Sequence, residues 1–147
     1  MLIRRARLTD VEHIVAMLAD DPLGATREKP GDPGYATAFA EIDGDPRQYL
    51  AVAELDGEVV GTLQLTFIPG LSRAGSTRAL IESVRVRADQ RGNGLGRQMI
   101  EWCVAEARRR GCVLVQLTTD ASRVDAHRFY ERLGFVPSHV GMKLALG

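Results

Sequence analysis

Hydrophobic residues recur with a helical period in several stretches of the chain. Apolar positions spaced three or four residues apart predict helices near residues 11–18, 94–110 and 126–133, and a short helix is expected over residues 35–42. Thr9 is expected to cap the first helix, with Glu12 at the reciprocal capping-box position. Gly111 and Gly134 follow the last two, as glycine commonly does at helix ends. The pattern therefore predicts about four helices.

Strict alternation and short apolar runs predict strands in the remaining stretches. These are residues 2–8, 49–55, 58–68, 80–86, 113–117 and 139–146. Asp56-Gly57 is a preferred two-residue hairpin turn. The run 113–117 is expected to be an interior strand, parallel to the strand before the long helix. Together the elements predict an α/β (α+β) fold, a single domain over residues 1–147 with a mixed central sheet of about six to seven strands.

The balance of charge limits the classes of partner. Lys and Arg together number 19, as do Asp and Glu, so the formal net charge is zero. Bulk electrostatics therefore favour neither nucleic acid nor a membrane as a partner. No stretch approaches the length of a membrane span, and Cys103 and Cys112 form no Cys-x-x-Cys pair, so a cytoplasmic location without disulfides is expected. No histidine or cysteine spacing suggests a metal site.

Three glycines follow one of the predicted strands and precede the long helix. The turn reads Arg91-Gly92-Asn93-Gly94-Leu95-Gly96-Arg97. Glycines let backbone N–H groups converge without side-chain obstruction, and a helix N-terminus adds partial positive charge. The turn therefore predicts a site for a phosphorylated ligand.

Two familiar nucleotide motifs fit this turn poorly. A P-loop requires Lys-Ser/Thr after its last glycine, whereas Gly96 is followed by Arg97-Gln98. A dinucleotide fingerprint requires Gly-x-Gly-x-x-Gly and an acidic residue after the next strand, which here ends in Thr118-Thr119. Neither a mononucleotide nor a dinucleotide is therefore favoured.

The turn is similar to the Gln/Arg-x-x-Gly-x-Gly/Ala signature of the GNAT superfamily of acetyl-CoA-dependent N-acetyltransferases. A second segment, Ala126-His127-Arg128-Phe129-Tyr130-Glu131-Arg132-Leu133-Gly134-Phe135, resembles the superfamily's A-x-x-F-Y-x-x-x-G-F motif. The order of the elements agrees over essentially the whole chain. The resemblance implies a GNAT-like fold with splayed central strands and acetyl-CoA as cosubstrate. The stretch 116–139 looks most similar to aminoalkylphosphonate N-acetyltransferases, which implies a small-molecule amine as acceptor.

The resemblance also implies which residues bind the cofactor. The diphosphate of coenzyme A would lie on the glycine turn, and the pantetheine arm between the strand before it and the strand that ends at Thr118. The implied cofactor-binding residues are Val84, Arg85, Val86, Arg91, Gly92, Asn93, Gly94, Leu95, Gly96, Arg97, Thr118 and Arg123. Arg123 replaces an asparagine found in many members, so it either reaches a phosphate or is simply solvated at a helix start.

Two residues are the candidates for proton transfer. Glu82 lies mid-strand beside the expected thioester and could accept the amine proton, or it could instead pair with Arg85 or Arg78. Tyr130 matches the superfamily tyrosine that protonates the departing thiolate, although it also fits the apolar stripe of its helix. The resemblance thus implies an acetyl group transferred directly to an amine in a ternary complex. A protein acceptor or a non-catalytic acyl-CoA-binding module is the alternative, and a homodimer could form through the alternating final strand.

Overall fold

Five strands form one sheet whose spatial order, β1-β2-β3-β4-β5, is also their order along the chain. The computed structural model describes all of residues 1–147. The strands are β1 (Leu2–Arg5), β2 (Gln48–Leu55), β3 (Glu58–Pro69), β4 (Thr77–Val86) and β5 (Leu114–Leu117). The helices are α1 (Val11–Ala19), α2 (Gly24–Arg27), α3 (Gly34–Asp43), α4 (Ser72–Gly75), α5 (Leu95–Arg109) and α6 (Val124–Arg132). The first three strand pairs are antiparallel and the sheet is mixed, so the predicted α/β class is confirmed.

The hairpin between β2 and β3 forms where the sequence predicts it. Asp56 and Gly57 both have positive φ, 52° and 81°, as a tight hairpin turn requires. On β3 the side chains of Leu63, Leu65 and Phe67 are buried, and Thr62 is buried as well. The hairpin thereby places the central strands of the sheet.

Helix α5 packs against β3 at a glycine. A Cβ atom built on Gly61 would lie 2.8 Å from Sδ of Met99 and 3.2 Å from Cβ of Ala53. A residue with a Cβ atom at position 61 would require the Met99 side chain to shift. Met99, Ile100 and Cys103 are fully buried on the same helix, so this contact fixes the start of α5 relative to the sheet.

The predicted cap of the first helix is wrong. Thr9 lies within a 3₁₀ turn (Leu8–Asp10) that precedes α1, and Asp10 accepts the hydrogen bond from the backbone N–H of Arg7 at 2.7 Å. The carboxylate of Asp10 also accepts hydrogen bonds from Arg4, at 2.8 and 3.1 Å. No side chain caps α1, and Asp10 instead joins this turn to β1 through its ion pair with Arg4.

The predicted sheet has too many strands, because the run 139–146 forms no strand. Its alternating residues stay exposed and lack a neighbouring strand, which β structure requires. The prediction of β5 as an interior strand is also wrong, since β5 is the last strand of the sheet. The predicted helices correspond to α1, α3, α5 and α6. The other two, α2 and α4, are single turns within predicted loops, and residues 73–75 of α4 have left-handed φ.

The chain packs as two compact units, residues 1–116 and residues 117–147. The first contains the sheet up to Gln116 and helices α1 to α5, and the second contains α6 and the C-terminal segment. The expectation of a single domain over residues 1–147 stays a prediction. None of the helices is long and apolar enough to cross a lipid bilayer.

Candidate functional site

A β-bulge interrupts β4 at its centre. Glu82 pairs with Gln64 and Arg85 pairs with Thr62, so two residues of β4, Ser83 and Val84, lie opposite one residue of β3. Ser83 has a φ of 56°, in the left-handed region that non-glycine residues occupy at a cost of about 1–2 kcal/mol. A bulge redirects the chain and leaves backbone groups outside the ladder. This region of β4 can therefore offer polar backbone groups to a ligand.

Glu82 is exposed immediately before the bulge. It takes part in none of the protein's salt bridges, whereas Arg85 makes one with Asp21, at 3.0 Å between Nη2 and Oδ2. Arg85 also donates a hydrogen bond to the carbonyl oxygen of Val84 at 2.9 Å. Arg85 therefore pairs with Asp21, whereas the sequence offered Glu82 as its possible partner. The role of Glu82 as a base stays a prediction.

The glycine turn joins β4 to α5 through two left-handed residues. Gly92 and Gly94 have φ of 84° and 78°, and a Cβ atom added to either would meet nothing within 4 Å. Backbone conformation rather than space therefore requires glycine at both positions. No side chain caps α5, and its first intrahelical acceptor is the carbonyl of Gly94, which accepts from Gln98 at 3.2 Å. The amides that begin α5 are consequently available to an anion.

Two arginines flank this turn on its exposed side. Nε of Arg91 donates to the carbonyl oxygen of Val86 at 3.1 Å, which closes the turn against the end of β4. Nη2 of Arg91 lies 3.8 Å from Asp20 in an exposed pair, and Arg97 bonds Glu101 at 2.8 Å one helical turn onward. Both exposed pairs contribute little to stability, so an incoming phosphate could displace either carboxylate.

The first unit thus brings together most of the predicted cofactor residues. Those on β4, in the turn and at the start of α5 all lie between residues 84 and 97, namely Val84, Arg85, Val86, Arg91, Gly92, Asn93, Gly94, Leu95, Gly96 and Arg97. Leu95 is buried and anchors the first turn of the helix in the core. The assignment of these residues to a cofactor stays a prediction.

The second unit holds Thr118, Arg123 and Tyr130. Thr118 is exposed, and a Cβ atom added to Gly141 would lie 3.5 Å from its methyl group. Arg123 precedes α6, and its backbone N–H donates to the carbonyl of Asp120 at 3.0 Å. Two hydrogen bonds from Ser122 lower the pKa of Asp120, so that carboxylate stays ionised beside Arg123. This segment orders the start of α6.

Tyr130 belongs to an aromatic cluster within the second unit. Its ring packs edge-on against Phe129, with centroids 5.0 Å apart, and against Phe135 at 5.8 Å. Phe135 donates its backbone N–H to the carbonyl of Tyr130 at 3.1 Å, beside the left-handed Gly134. The cluster explains why the Phe-Tyr and Gly-Phe pairs lie five residues apart. Its effect is to hold the Tyr130 ring in one orientation.

Neither cysteine is suited to nucleophilic chemistry. Burial raises the pKa of the Cys103 thiol to about 12, and it also raises the pKa of Cys112. A reactive cysteine requires the opposite shift and an exposed position. Acyl transfer through a covalent thioester on this protein is therefore disfavoured.

Two features of the site could not be identified from the sequence. For the bulge at Ser83 the sequence holds one indication, because Glu82 and Ser83 are polar residues that interrupt an apolar run. For Asp21 the sequence holds no indication, because its pairing with Arg85 joins a loop to a strand more than sixty residues away. Such contacts depend on the tertiary fold rather than on local pattern.

Comparisons with known proteins identify relatives over most of the chain. A family model described as Acetyltransferase (GNAT) family matches residues 12–135. The chain is 39% identical over 89 residues to the aminoalkylphosphonate N-acetyltransferase of Salmonella typhimurium. It is 34% identical over 88 residues to the glucosamine 6-phosphate N-acetyltransferase of Trypanosoma brucei brucei. Each match covers 60% of this chain and under three fifths of the relative, 57% and 58%.

Solved structures extend the likeness to the full length. A crystal structure of a transcriptional regulator from Bacillus halodurans C-125 is 49% identical, with a TM-score of 0.95 and 99% of both chains covered. The structure of a Trypanosoma brucei acetyltransferase is 26% identical, with a TM-score of 0.81 and 99% of both chains covered. With the family model spanning most of its length, the chain belongs to the Acetyltransferase (GNAT) family.

Proposed function

We propose that this protein is an acetyl-CoA-dependent N-acetyltransferase acting on a small-molecule amine. The observation that carries the proposal is the turn at residues 91–97. Two left-handed glycines and the uncapped start of α5 direct backbone amides to one point, where a diphosphate would bind. The named activities of the Salmonella and Trypanosoma relatives support acetyl transfer to small amines.

The bulge in β4 supports the assignment of the pantetheine arm. Backbone groups at Ser83 and Val84 leave the regular ladder, and an amide-rich arm can pair with such groups as an added strand does. One of these N–H groups would polarise the thioester carbonyl as the amine attacks. Val84 to Val86 and Thr118 are the proposed contacts of the arm, and Arg123 is a proposed phosphate contact.

Glu82 and Tyr130 are the proposed proton-transfer residues. A primary amine has a pKa near 10, so only about one molecule in a thousand is neutral at pH 7. Glu82, exposed beside the bulge, would remove the amine proton directly or through water. The amine nitrogen attacks the carbonyl carbon, the C–S bond breaks, and Tyr130 protonates the departing thiolate. No covalent enzyme intermediate is required, which agrees with the raised pKa of both thiols.

A thiol-release assay tests the proposal. Purified protein is supplied with acetyl-CoA and aminoalkylphosphonates, amino sugars, polyamines or peptide N-termini, and free CoA is measured against acetylated product. One thiol per acetylated amine is expected. Glu82→Gln should lower kcat by about 10²–10⁴. Glu12→Gln, an exposed glutamate on α1 that joins no salt bridge, is the matched control and should leave kcat unchanged.

A non-catalytic acyl-CoA-binding module is the second candidate. The 49% identical Bacillus halodurans protein is described as a transcriptional regulator, which favours this candidate. Binding of acetyl-CoA with no thiol release for any amine would select this candidate. Acetylation restricted to peptides would select a protein acceptor. A cytoplasmic location and a homodimer also belong to the proposal.

A further inference from the structure

Three polar side chains form a hydrogen-bonded group on the strands beside Glu82. Gln48 of β2 and Gln64 and Thr66 of β3 are all half-buried. Oε1 of Gln48 accepts one hydrogen bond from Nε2 of Gln64 at 2.8 Å and another from Oγ1 of Thr66 at 2.9 Å. The next two positions on this face of β2 are apolar and join the core beneath α1 and α3. The polar group therefore begins where the apolar core on this face ends.

Gln64 lies directly opposite Glu82 in the pairing of β3 with β4. Side chains of directly opposite residues in an antiparallel pair project from the same face, with Cβ atoms about 5 Å apart. Gln48 lies on that face as well, because it is paired with Thr66, two residues along β3 from Gln64. All four residues belong to the first unit of the chain. The proposed base and the amide of Gln64 are thus neighbours on one face of the sheet.

One hydrogen bond determines which atom of Gln64 is left open. Its Nε2 donates to Gln48, whereas its Oε1 accepts none of the side-chain hydrogen bonds of the chain. This oxygen is not among the buried polar atoms that lack a partner, so it is open to solvent. Turning the amide of Gln64 would bring its oxygen against the oxygen of Gln48, which Thr66 also binds. The group therefore presents an oxygen, rather than an N–H group, on the face that carries Glu82.

We propose that Oε1 of Gln64 binds the acceptor amine next to Glu82, and that Gln48 is the residue that positions this oxygen. The inference rests on the proposed acetyl transfer. An ammonium group carries N–H donors and no acceptor, so its site must offer oxygen atoms. A primary amine that has passed one proton to Glu82 still has two N–H groups, and one of them can keep the hydrogen bond to Gln64. The nitrogen thereby stays in place while its electron pair attacks the carbonyl carbon.

A neutral amide suits this position better than a second carboxylate. A further carboxylate close to the amine would favour the charged ammonium form, in which the nitrogen has no free electron pair. The amide oxygen of Gln64 accepts from the same N–H groups without adding a charge. The two side chains thus have separate tasks, since Glu82 removes a proton and Gln64 holds the nitrogen that has lost it.

Kinetics of variants at position 64 test the binding role. Thiol release is measured with the full-length protein at saturating acetyl-CoA, over a concentration series of the primary amine that the wild type turns over fastest. Gln64→Leu is similar in size but has no oxygen, so the KM for the amine should rise by about 10–100-fold. Gln64→Glu restores an oxygen and should keep that KM within about threefold of wild type, while kcat falls about tenfold because the bound amine stays charged. Acetyl-CoA is proposed to bind backbone groups, so calorimetry should give all three proteins the same Kd for it.

Variants at position 48 test the positioning role. Gln48→Leu removes the oxygen that holds the amide of Gln64, and it should raise the KM for the amine about three- to tenfold. Gln48→Glu still accepts both hydrogen bonds, so this conservative change should retain the wild-type KM. In the double variant, Gln48→Leu should add nothing to the effect of Gln64→Leu, because it acts only through that side chain.

These measurements separate failure of the inference from failure of the proposed function. Normal wild-type turnover with an unchanged KM in Gln64→Leu overturns the inference alone, as does a rise in KM that Gln64→Glu shares. Additive effects of Gln48→Leu and Gln64→Leu overturn the positioning role. If circular dichroism shows that Gln64→Leu does not fold, the pair at position 48 decides, and equal KM values for Gln48→Leu and Gln48→Glu overturn the inference. A wild type that acetylates no amine overturns the proposed function and this inference with it.

Discussion

Replacing Gly94 by alanine separates the stability of the glycine turn from its binding function. The residue has a φ of 78°, and a Cβ atom would meet nothing within 4 Å, so the whole cost is conformational. Left-handed backbone costs an alanine about 1–2 kcal/mol, and reduced freedom of the unfolded chain returns about 0.4–1 kcal/mol. The net loss of about 1 kcal/mol corresponds to a fall in Tm of about 2–4 °C for a chain of this length.

The hairpin offers a matched control. Gly57 has a φ of 81° and equally open surroundings, but it lies in the turn between β2 and β3. Gly57→Ala should therefore lower Tm by a similar amount. The proposed diphosphate site is affected only by Gly94→Ala, because a chain that relaxes from left-handed geometry displaces the amides at the start of α5. Loss of one charge-assisted hydrogen bond costs about 1.5–3 kcal/mol, so the Kd for acetyl-CoA should rise at least about tenfold.

Differential scanning calorimetry measures the two Tm values, and titration calorimetry with acetyl-CoA measures the two Kd values. Gly94→Asn should recover part of the affinity, since asparagine tolerates left-handed backbone. Wild-type affinity of both alanine variants for acetyl-CoA would contradict a binding role for the amides that begin α5. Unequal losses of Tm would refute the conformational estimate instead.

Three further perturbations test the ion pair, the proton donor and the thiols. Hydrogen bonds from Arg4 lower the pKa of Asp10, so the pair stabilises the fold above the unfolded carboxyl pKa and loses that contribution as pH falls through the folded value. Asp10→Asn should cost about 3 kcal/mol of unfolding free energy at pH 7, by urea titration, and the difference from wild type should shrink in acid. Tyr130→Phe should lower kcat by about 10–100-fold without changing the Kd for acetyl-CoA, because a thiolate leaves with only modest help. Iodoacetamide should label half-buried Cys112 slowly in the native protein, because its pKa is raised, and leave buried Cys103 unmodified until unfolding, as mass spectrometry of peptides would show.

Elements with local signals could be predicted from the sequence. Asp56-Gly57 determines a hairpin through the conformations of two adjacent residues, and Gly94 and Gly111 mark the two ends of α5. The family resemblance rested on two motifs that are each local as well. The predicted start of the first helix is wrong because Thr9 belongs to a 3₁₀ turn that precedes α1. Asp10 in that turn binds Arg4 of β1, a contact that the capping pattern does not indicate.

The final strand illustrates a different limit of prediction. Residues 139–146 have the alternation of a strand, but alternation specifies the two faces of a segment and not the strand that pairs with it. A pattern is therefore the same whether the neighbour belongs to the same chain or to another copy. Alternation alone therefore could not indicate that the run 139–146 forms no strand in the structure.

Four non-glycine residues of this protein have left-handed φ, and one of them, Ser83, lies in the proposed site. Ser83, Gly92 and Gly94 have left-handed φ within twelve residues, on the path from β4 to α5. The glycines adopt such φ without penalty, whereas Ser83 adopts it at an energetic cost. Nothing about the pairing of β4 with β3 requires a bulge at that position. Strain of about 1–2 kcal/mol persists where the surrounding fold enforces it, often because the geometry serves a ligand. Under the proposed function, the bulge and the glycine turn would act together, as one stretch of chain whose backbone groups contact a single extended, phosphate-ended cosubstrate.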